Sequence, residues 1–209
     1  MPAAPDAENV PDEIPMTYFV TNSNSVVENV SDKVSMNYYD ENKKIFFQTY
    51  QTALGKIWIS ANSDAVVGLN FQLNINSVVG LQSIHSKNFI NRETALIRET
   101  FHQLSEYLEG KRKNFNLPTA PRGTDFQKKV WNELKKIPYG EVRSYKKIAE
   151  SIGNPRACRA VGSANNKNPI AVIIPCHRVI GTKGQLIGYA GGLERKKLLL
   201  DLEKSALQT

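Results

Sequence analysis

Apolar positions change their period along this chain, and the changes mark out its elements. From Ile45 the pattern is strand-like: Ile45-Phe46-Phe47-Gln48-Thr49-Tyr50, Gly55-Lys56-Ile57-Trp58-Ile59-Ser60 and Val66-Val67-Gly68-Leu69-Asn70-Phe71 are short β-branched and aromatic runs separated by turn residues. Such runs predict an antiparallel meander. Within Arg92 to Leu108 the spacing turns helical: Leu96, Phe101, Leu104, Tyr107 and Leu108 fall near one face, and Gly110 is the stop. Residues 42–115 thus read as a small strand-rich α+β domain with no visible chemistry of its own, in which His85 and His102 are surface or packing residues. The segment 116–123, with Pro118 and Pro121, reads as a linker.

Residues 124–209 are mostly helical. Thr124 or Asp125 caps a helix that turns Phe126, Val130, Trp131 and Leu134 inward and ends before Pro138-Tyr139-Gly140. Ser144 caps the next, carrying Tyr145, Ile148, Ala149 and Ile152, with Gly153 as its stop. Asn154 then reads as an N-cap, followed by Pro155 in the first turn of a helix from Arg156 to Asn165. Two short helices joined by Gly153-Asn154-Pro155 match a helix-turn-helix in spacing. In the second, Ala157, Ala160, Val161 and Ala164 form an apolar stripe, whereas Arg159, Gly162, Ser163 and Asn166 form a face with little bulk beyond the arginine. Small residues with hydroxyl and amide donors suit close approach to a phosphate backbone, and a helix packed by its glycine on another element is the competing reading.

The run Pro169-Ile170-Ala171-Val172-Ile173-Ile174 is uncharged and rich in β-branched residues, the composition of a buried strand. It ends in Pro175-Cys176-His177-Arg178-Val179, where a thiol and an imidazole adjoin. A lone cysteine is most often a small buried hydrophobe, and Cys158 fits that description. Cys176 differs in its neighbours. A thiol is only slightly ionised at neutral pH and needs a base or positive surroundings to act as a nucleophile, and His177 and Arg178 can supply both. Neighbours on a strand point to opposite faces, so contact requires a turn or a bridging water, and Pro175 favours a turn.

Charge adds a partner to this picture. The net +7 is the sum of −7 over residues 1–41 and +14 over the rest. The acidic, Pro-, Asn- and Ser-rich start predicts a disordered tail. The basic remainder suggests a polyanion, nucleic acid rather than membrane, although lysine-rich surfaces are also simply solubilising. No uncharged apolar run approaches a membrane span or a secretory signal, so the expected location is intracellular: nuclear in a eukaryote, cytoplasmic in a bacterium. Two cysteines and three histidines without paired ligand spacing predict no metal site.

Together, Gly123-Thr124 to Trp131, Tyr139-Gly140-Glu141-Val142 with Ser144-Tyr145, Gly153-Asn154-Pro155, Arg159-Ala160-Val161-Gly162, Asn168-Pro169, Pro175 to Val179 and Gly188-Tyr189-Ala190-Gly191-Gly192-Leu193 resemble the C-terminal domain of the O6-alkylguanine-DNA alkyltransferases, also called methylated-DNA-protein-cysteine methyltransferases. They stand in that family's order and spacing over about residues 122–205. The resemblance implies an α+β fold, a strand-rich N-terminal domain plus a helical C-terminal domain with a helix-turn-helix. It implies that Cys176 takes the alkyl group irreversibly, with His177 as its base through a water and Glu203 orienting His177. Tyr145 would press on the phosphate and donate to the guanine ring, and Arg159 would fill the gap in the base stack. Asn168 would order the turn before the active-site segment, Asn154, Gly162 and Ser163 would lie against DNA, and Val179, Tyr189 and Ala190 would line the alkyl pocket.

The partner so implied is double-stranded DNA bearing alkylated guanine, bound by a monomer, with no cofactor because the DNA carries the alkyl group. The lesion lies inside the duplex, so the nucleotide must be extruded. Position 190 is Ala where relatives can carry Ser or a larger residue, which leaves alkyl-size preference open, and the N-terminal half has no cysteines for the zinc site some relatives hold. A non-enzymatic binder of alkylated DNA, or a helix-turn-helix regulator, is the alternative; relatives of that kind lack the cysteine. A Cys-His hydrolase is a third reading, for which the chain shows no oxyanion hole.

Overall fold

The computed structural model describes residues 44–71 and 89–207. The acidic tail and His85 lie outside the described residues. Strands β1 (Ile45–Thr52), β2 (Gly55–Ala61) and β3 (Val66–Phe71) form the expected antiparallel meander. The β1–β2 turn needs a left-handed residue, which Gly55 supplies at φ 87°. The Thr52 side chain ties the turn, its hydroxyl donating to the Gly55 carbonyl at 2.8 Å and accepting from Leu54 N–H at 3.1 Å. A further strand, β4 (Phe89–Asn91), pairs parallel to β1, so the sheet order is β3-β2-β1-β4. Period-2 alternation turns Ile57, Ile59 and Ala61 of β2 inward.

Helix α1 (Ala95–Leu108) starts later than the sequence spacing suggests because Thr94 caps it, its side chain accepting from Ile97 N–H at 3.3 Å. It packs Ile97, Leu104 and Tyr107 inward. Residues 118–120 then run beside β3, with Val66 N–H donating to Pro118 O and Ala120 N–H to Val66 O, both at 2.9 Å. Helix α2 (Asp125–Leu134) opens with a capping box between Thr124 and Gln127. Its Trp131, almost fully buried, donates its indole N–H to Ala164 O at 2.8 Å. Gly123 has to be glycine, since a Cβ there would stand 2.4 Å from the Trp131 ring.

Strand β5 (Arg143–Ser144) leads into α3 (Tyr145–Ser151), capped by Ser144. Gly153 at φ 76° ends that helix, and α4 (Cys158–Asn166) follows. The second helix therefore opens at Cys158 and not at Arg156. Asn154 does not cap it: its backbone carbonyl closes a turn with Ala157 N–H at 2.9 Å, and the helix has no side-chain cap. The apolar stripe is also shorter than expected. Val161 and Ala164 are buried and Ala157 is half-buried, but Ala160 is exposed.

The run 169–174 is buried as expected but is not a strand. Ile170 bridges Leu69 of β3, Ala171 bridges Ile174, and the chain doubles back through Val172 at φ 70°. Pairing with the edge of β3 sets this shape, at the cost of placing a β-branched residue in the left-handed region. Cys176–Arg178 then forms one 3₁₀ turn, so Cys176 and His177 do not alternate as on a strand. Strand β6 (Val179–Ile180) pairs parallel with β5, and α5 (Leu193–Ser205) closes the fold. One hydrophobic core runs from Ile57, Ile59 and Leu69 of the sheet through Trp131 and Leu134 to Val161, Ile174 and Leu199. The fold is the strand-rich half plus helical half expected from the sequence.

Candidate active site

The 3₁₀ turn presents Cys176, 4% exposed, against Asn168. Asn168 is held on both sides. Its side-chain carbonyl accepts from Ile170 N–H at 3.0 Å, while its amide donates to Ile174 O at 2.8 Å and to Cys176 Sγ at 3.0 Å. Asn165 fastens the turn from α4, donating to Cys176 O at 3.3 Å. Burial pushes the Cys176 thiol up to about 11; the Asn168 amide, the Lys196 ammonium and the backbone N–H groups of Cys176 and His177 act against that. The resting sulfur is thus a protonated thiol among groups that favour its anion.

His177 and Glu203 are fully buried, joined by a 2.7 Å hydrogen bond between Nε2 and Oε1. Burial lowers the basicity of His177, as do the charges of Arg178 and Lys196, with Glu203 opposing them. The ring is therefore neutral and donates from Nε2 to the carboxylate, which leaves Nδ1 as a lone-pair acceptor. Nδ1 is buried and has no hydrogen-bond partner among the described residues.

Three further neighbours converge on the Glu203 carboxylate besides His177. Arg178 donates from Nε at 3.0 and 3.1 Å and stands with Nη2 2.9 Å from Oε1, Gly140 N–H donates to Oε2 at 2.7 Å, and the Tyr107 hydroxyl donates to Oε1. Burial alone would raise this carboxyl. The hydrogen bond from His177, with those from Arg178 and Tyr107, outweighs it and holds the group at about 2.

The remaining predicted residues divide into wall and surface. Tyr145, at the start of α3, is half-buried and donates its hydroxyl to Ile187 O at 2.9 Å and Gly188 O at 3.0 Å. Burial and then the neighbouring Cys176 push its phenol up to about 12. Tyr189 is buried and lies in the field of Cys176, and its hydroxyl has no partner among the described residues. Val179 is buried at the start of β6, whereas Ala190 is exposed. Arg159, Ser163 and Asn154 are exposed on α4 and the turn before it, and Gly162 faces Tyr145, whose ring would lie 3.8 Å from an added Cβ.

Sequence reasoning missed several members. Tyr107 comes from α1, so the N-terminal half does carry part of this network. The signal was a tyrosine on an otherwise apolar helix stripe, where a buried hydroxyl needs a partner. Arg178 was read only as a charge beside the thiol, and its partner is Glu203. Lys196 is fully buried and donates to Val179 O at 2.5 Å and Ile187 O at 2.6 Å, with its ammonium lowered by burial to about 8. Lys196, Leu199 and Glu203 share one helical face of α5, a mixed face that marks polar residues turned inward. Among the described residues no group of three or more His, Cys, Asp or Glu could hold a metal, and no helix is long and apolar enough to cross a membrane.

Comparison with known proteins places these features. Residues 125–205 match the family described as 6-O-methylguanine DNA methyltransferase, DNA binding domain, and residues 45–121 match its ribonuclease-like domain. The chain is 45% identical over 161 residues to the methylated-DNA-protein-cysteine methyltransferase of Methanosarcina acetivorans, covering 77% of this chain and 99% of that one. The chain belongs to the methylated-DNA-protein-cysteine methyltransferases. A constitutive methyltransferase of this name from Bacillus subtilis is 42% identical over 160 residues, covering 76% and 95% of the two chains. The crystal structure of Mycobacterium tuberculosis OGT in complex with DNA superposes with a TM-score of 0.69 at 40% identity, covering 77% of this chain and 94% of that chain. Family membership makes the protein a transferase of DNA repair, with its C-terminal half the DNA-binding domain.

Proposed function

We propose that this methyltransferase clears O6-alkylguanine from double-stranded DNA by moving the alkyl group to Cys176, once per molecule. The observation that carries the assignment is the pair of contacts Asn168–Cys176 and His177–Glu203 meeting at adjacent residues of one turn, which Asn165 ties to α4. The cysteine sulfur attacks the alkyl carbon, the S–C bond forms, and the bond from that carbon to guanine O6 breaks with its electrons on oxygen. The thiol proton passes through a water to His177 Nδ1, which has no hydrogen-bond partner among the described residues, and Glu203 steadies the imidazolium that results. Charge arriving on the purine is spread by a hydrogen bond from Tyr145, whose hydroxyl leaves the Ile187 and Gly188 carbonyls to reach it. Tyr189 and Val179 bound the alkyl group, with Ala190 at the rim. Arg159 enters the stack from the exposed side of α4, while Asn154, Gly162 and Ser163 lie along the backbone. Acting on DNA, the protein would work in the nucleus or cytoplasm, as a monomer whose one copy holds all four residues.

The test is a mass measurement. Mixed with a duplex containing O6-methylguanine, each chain is expected to gain one methylene, located on the Cys176 peptide, with no turnover beyond one equivalent of DNA. Tight binding without a mass change would replace this reading with that of a damage recogniser. Two substitutions separate positioning from chemistry. Tyr145→Phe is expected to slow transfer about 10²-fold, the size of losing one donor to developing charge, with a smaller loss of affinity. Arg159→Ala is expected to act on extrusion, read as reduced fluorescence of a 2-aminopurine opposite the lesion. Equal loss of affinity in both variants, with nothing further, would overturn the separate roles.

A further inference from the structure

Tyr107 is the feature of the network that the transfer chemistry does not by itself require. It stands in α1, 96 residues from its carboxylate partner, and is fully buried. Its hydroxyl donates to Glu203 Oε1, the same oxygen that accepts from His177 Nε2, and lies 3.4 Å from that nitrogen. The ring is fixed by Phe115 at 5.2 Å and by Tyr139, edge-on at 5.8 Å. The hydroxyl is thus held where it is by the packing of the Phe115 and Tyr139 rings.

We infer that Tyr107 is a positioning residue that sets how strongly Glu203 draws on the His177 proton, so that the strand-rich half of the chain tunes the base of the reaction. This rests on the reading of Cys176, His177 and Glu203 given above. A carboxylate oxygen shared between two donors is a weaker acceptor toward each. With the Tyr107 hydroxyl in place, Glu203 pulls less on His177, and the imidazole stays neutral and able to accept a proton. The charged and titratable groups around the pair come from several elements. Arg178, in the same turn, and Lys196, from α5, oppose a second positive charge on the ring. Cys176 precedes it in the turn, and Tyr139, from the loop after α2, faces Glu203 and Arg178. Burial and the Glu203 charge raise the Tyr107 phenol, so it remains a donor at any working pH.

The experiment is a pH profile of single-turnover transfer at saturating O6-methylguanine duplex, for the full chain and three variants. Tyr107→Phe keeps the ring and removes the donor. Its acid limb is expected to move to higher pH by about half a unit, a roughly threefold loss on the acid side, with DNA affinity unchanged. Phe115→Leu removes a packing partner and leaves the hydroxyl, and is expected to lower the melting temperature without moving the limb. A Tyr107→Phe limb that coincides with that of the parent chain would overturn the inference, and so would an equal displacement in Phe115→Leu, which would make the effect one of packing. Glu203→Gln separates the base assignment from the role of Tyr107. If it transfers with the parent's rate and profile, the base assignment itself is wrong; if it is slow while Tyr107→Phe is like the parent, only the role of Tyr107 falls.

Discussion

Cys176→Ala is expected to abolish the mass gain entirely while the chain still folds and binds alkylated DNA. No other sulfur can substitute. The second cysteine, Cys158, begins α4, its thiol directed at Pro155 O at 3.7 Å, and it is absent from the Asn168, His177 and Glu203 array. The thiol is small, so its removal costs about 1 kcal/mol of burial, and the Asn168 amide keeps its bond to Ile174 O when it loses the sulfur. A melting temperature within a few degrees of the parent, with intact binding and no methylene gained, is the expected combination. A methylene gained elsewhere in the variant would move the acceptor off Cys176.

Glu203→Ala is expected to damage both chemistry and fold. On the chemical side, loss of the partner that fixes the His177 tautomer and steadies the imidazolium removes general-base assistance, about 10²- to 10⁴-fold in the transfer rate. On the structural side, the Arg178 guanidinium, Tyr107 hydroxyl and Gly140 N–H would all be left facing a small apolar group. Breaking one partner of a buried ion pair costs about 3–5 kcal/mol, roughly 10 °C or more in melting temperature for a chain of this size. Denaturant melts of the variant that match the parent would contradict this.

The same carboxylate fixes the acid behaviour. Its folded value near 2, against an ordinary 4.5, is a depressed one. Its contribution, at most about 3 kcal/mol, is therefore present above about pH 4.5 and lost as pH falls through about 2. His177 adds to the loss at higher pH: its folded value is lowered, so the unfolded chain takes up its proton first and stability falls as pH drops below about 6.5. Melts from pH 7 to pH 3 should show that slope, and Glu203→Ala should flatten its lower part.

How much of this was legible in the sequence depends on how far each residue's partner lies along the chain. The meander is written in period-2 runs and its hairpin turn in Gly55. The capping of α2 and α3 is written in Thr124, Gln127 and Ser144, because each cap bonds within three residues of itself. Strand β4 is not, since a three-residue strand exists only through its pairing with Ile45, Phe46 and Phe47. The run 169–174 shows the division within a single segment. Its burial follows from composition, but its shape follows from Leu69, about a hundred residues away, and period alone could not distinguish a strand from a turn held against one.

The site divides in the same way. Cys176, His177 and Asn168 announce themselves by adjacency and by family spacing, and the structure brings all three together with Glu203. Tyr107 and Lys196 do not, because each looks like its helix neighbours until the opposite element is in place. Asn154-Pro155 illustrates the reverse error. Those residues have the right letters for a helix start, yet the turn they make with Ala157 postpones the helix to Cys158.

The single core linking sheet to helices gives the chain its own optical reporters. It has two tryptophans, Trp58 beside Phe47 on the sheet and Trp131 wedged between Gly123 and α4. Intrinsic emission therefore samples both the sheet and the helical half without a label, and neither indole belongs to the Cys176 network, so the signal can be followed in each of these variants.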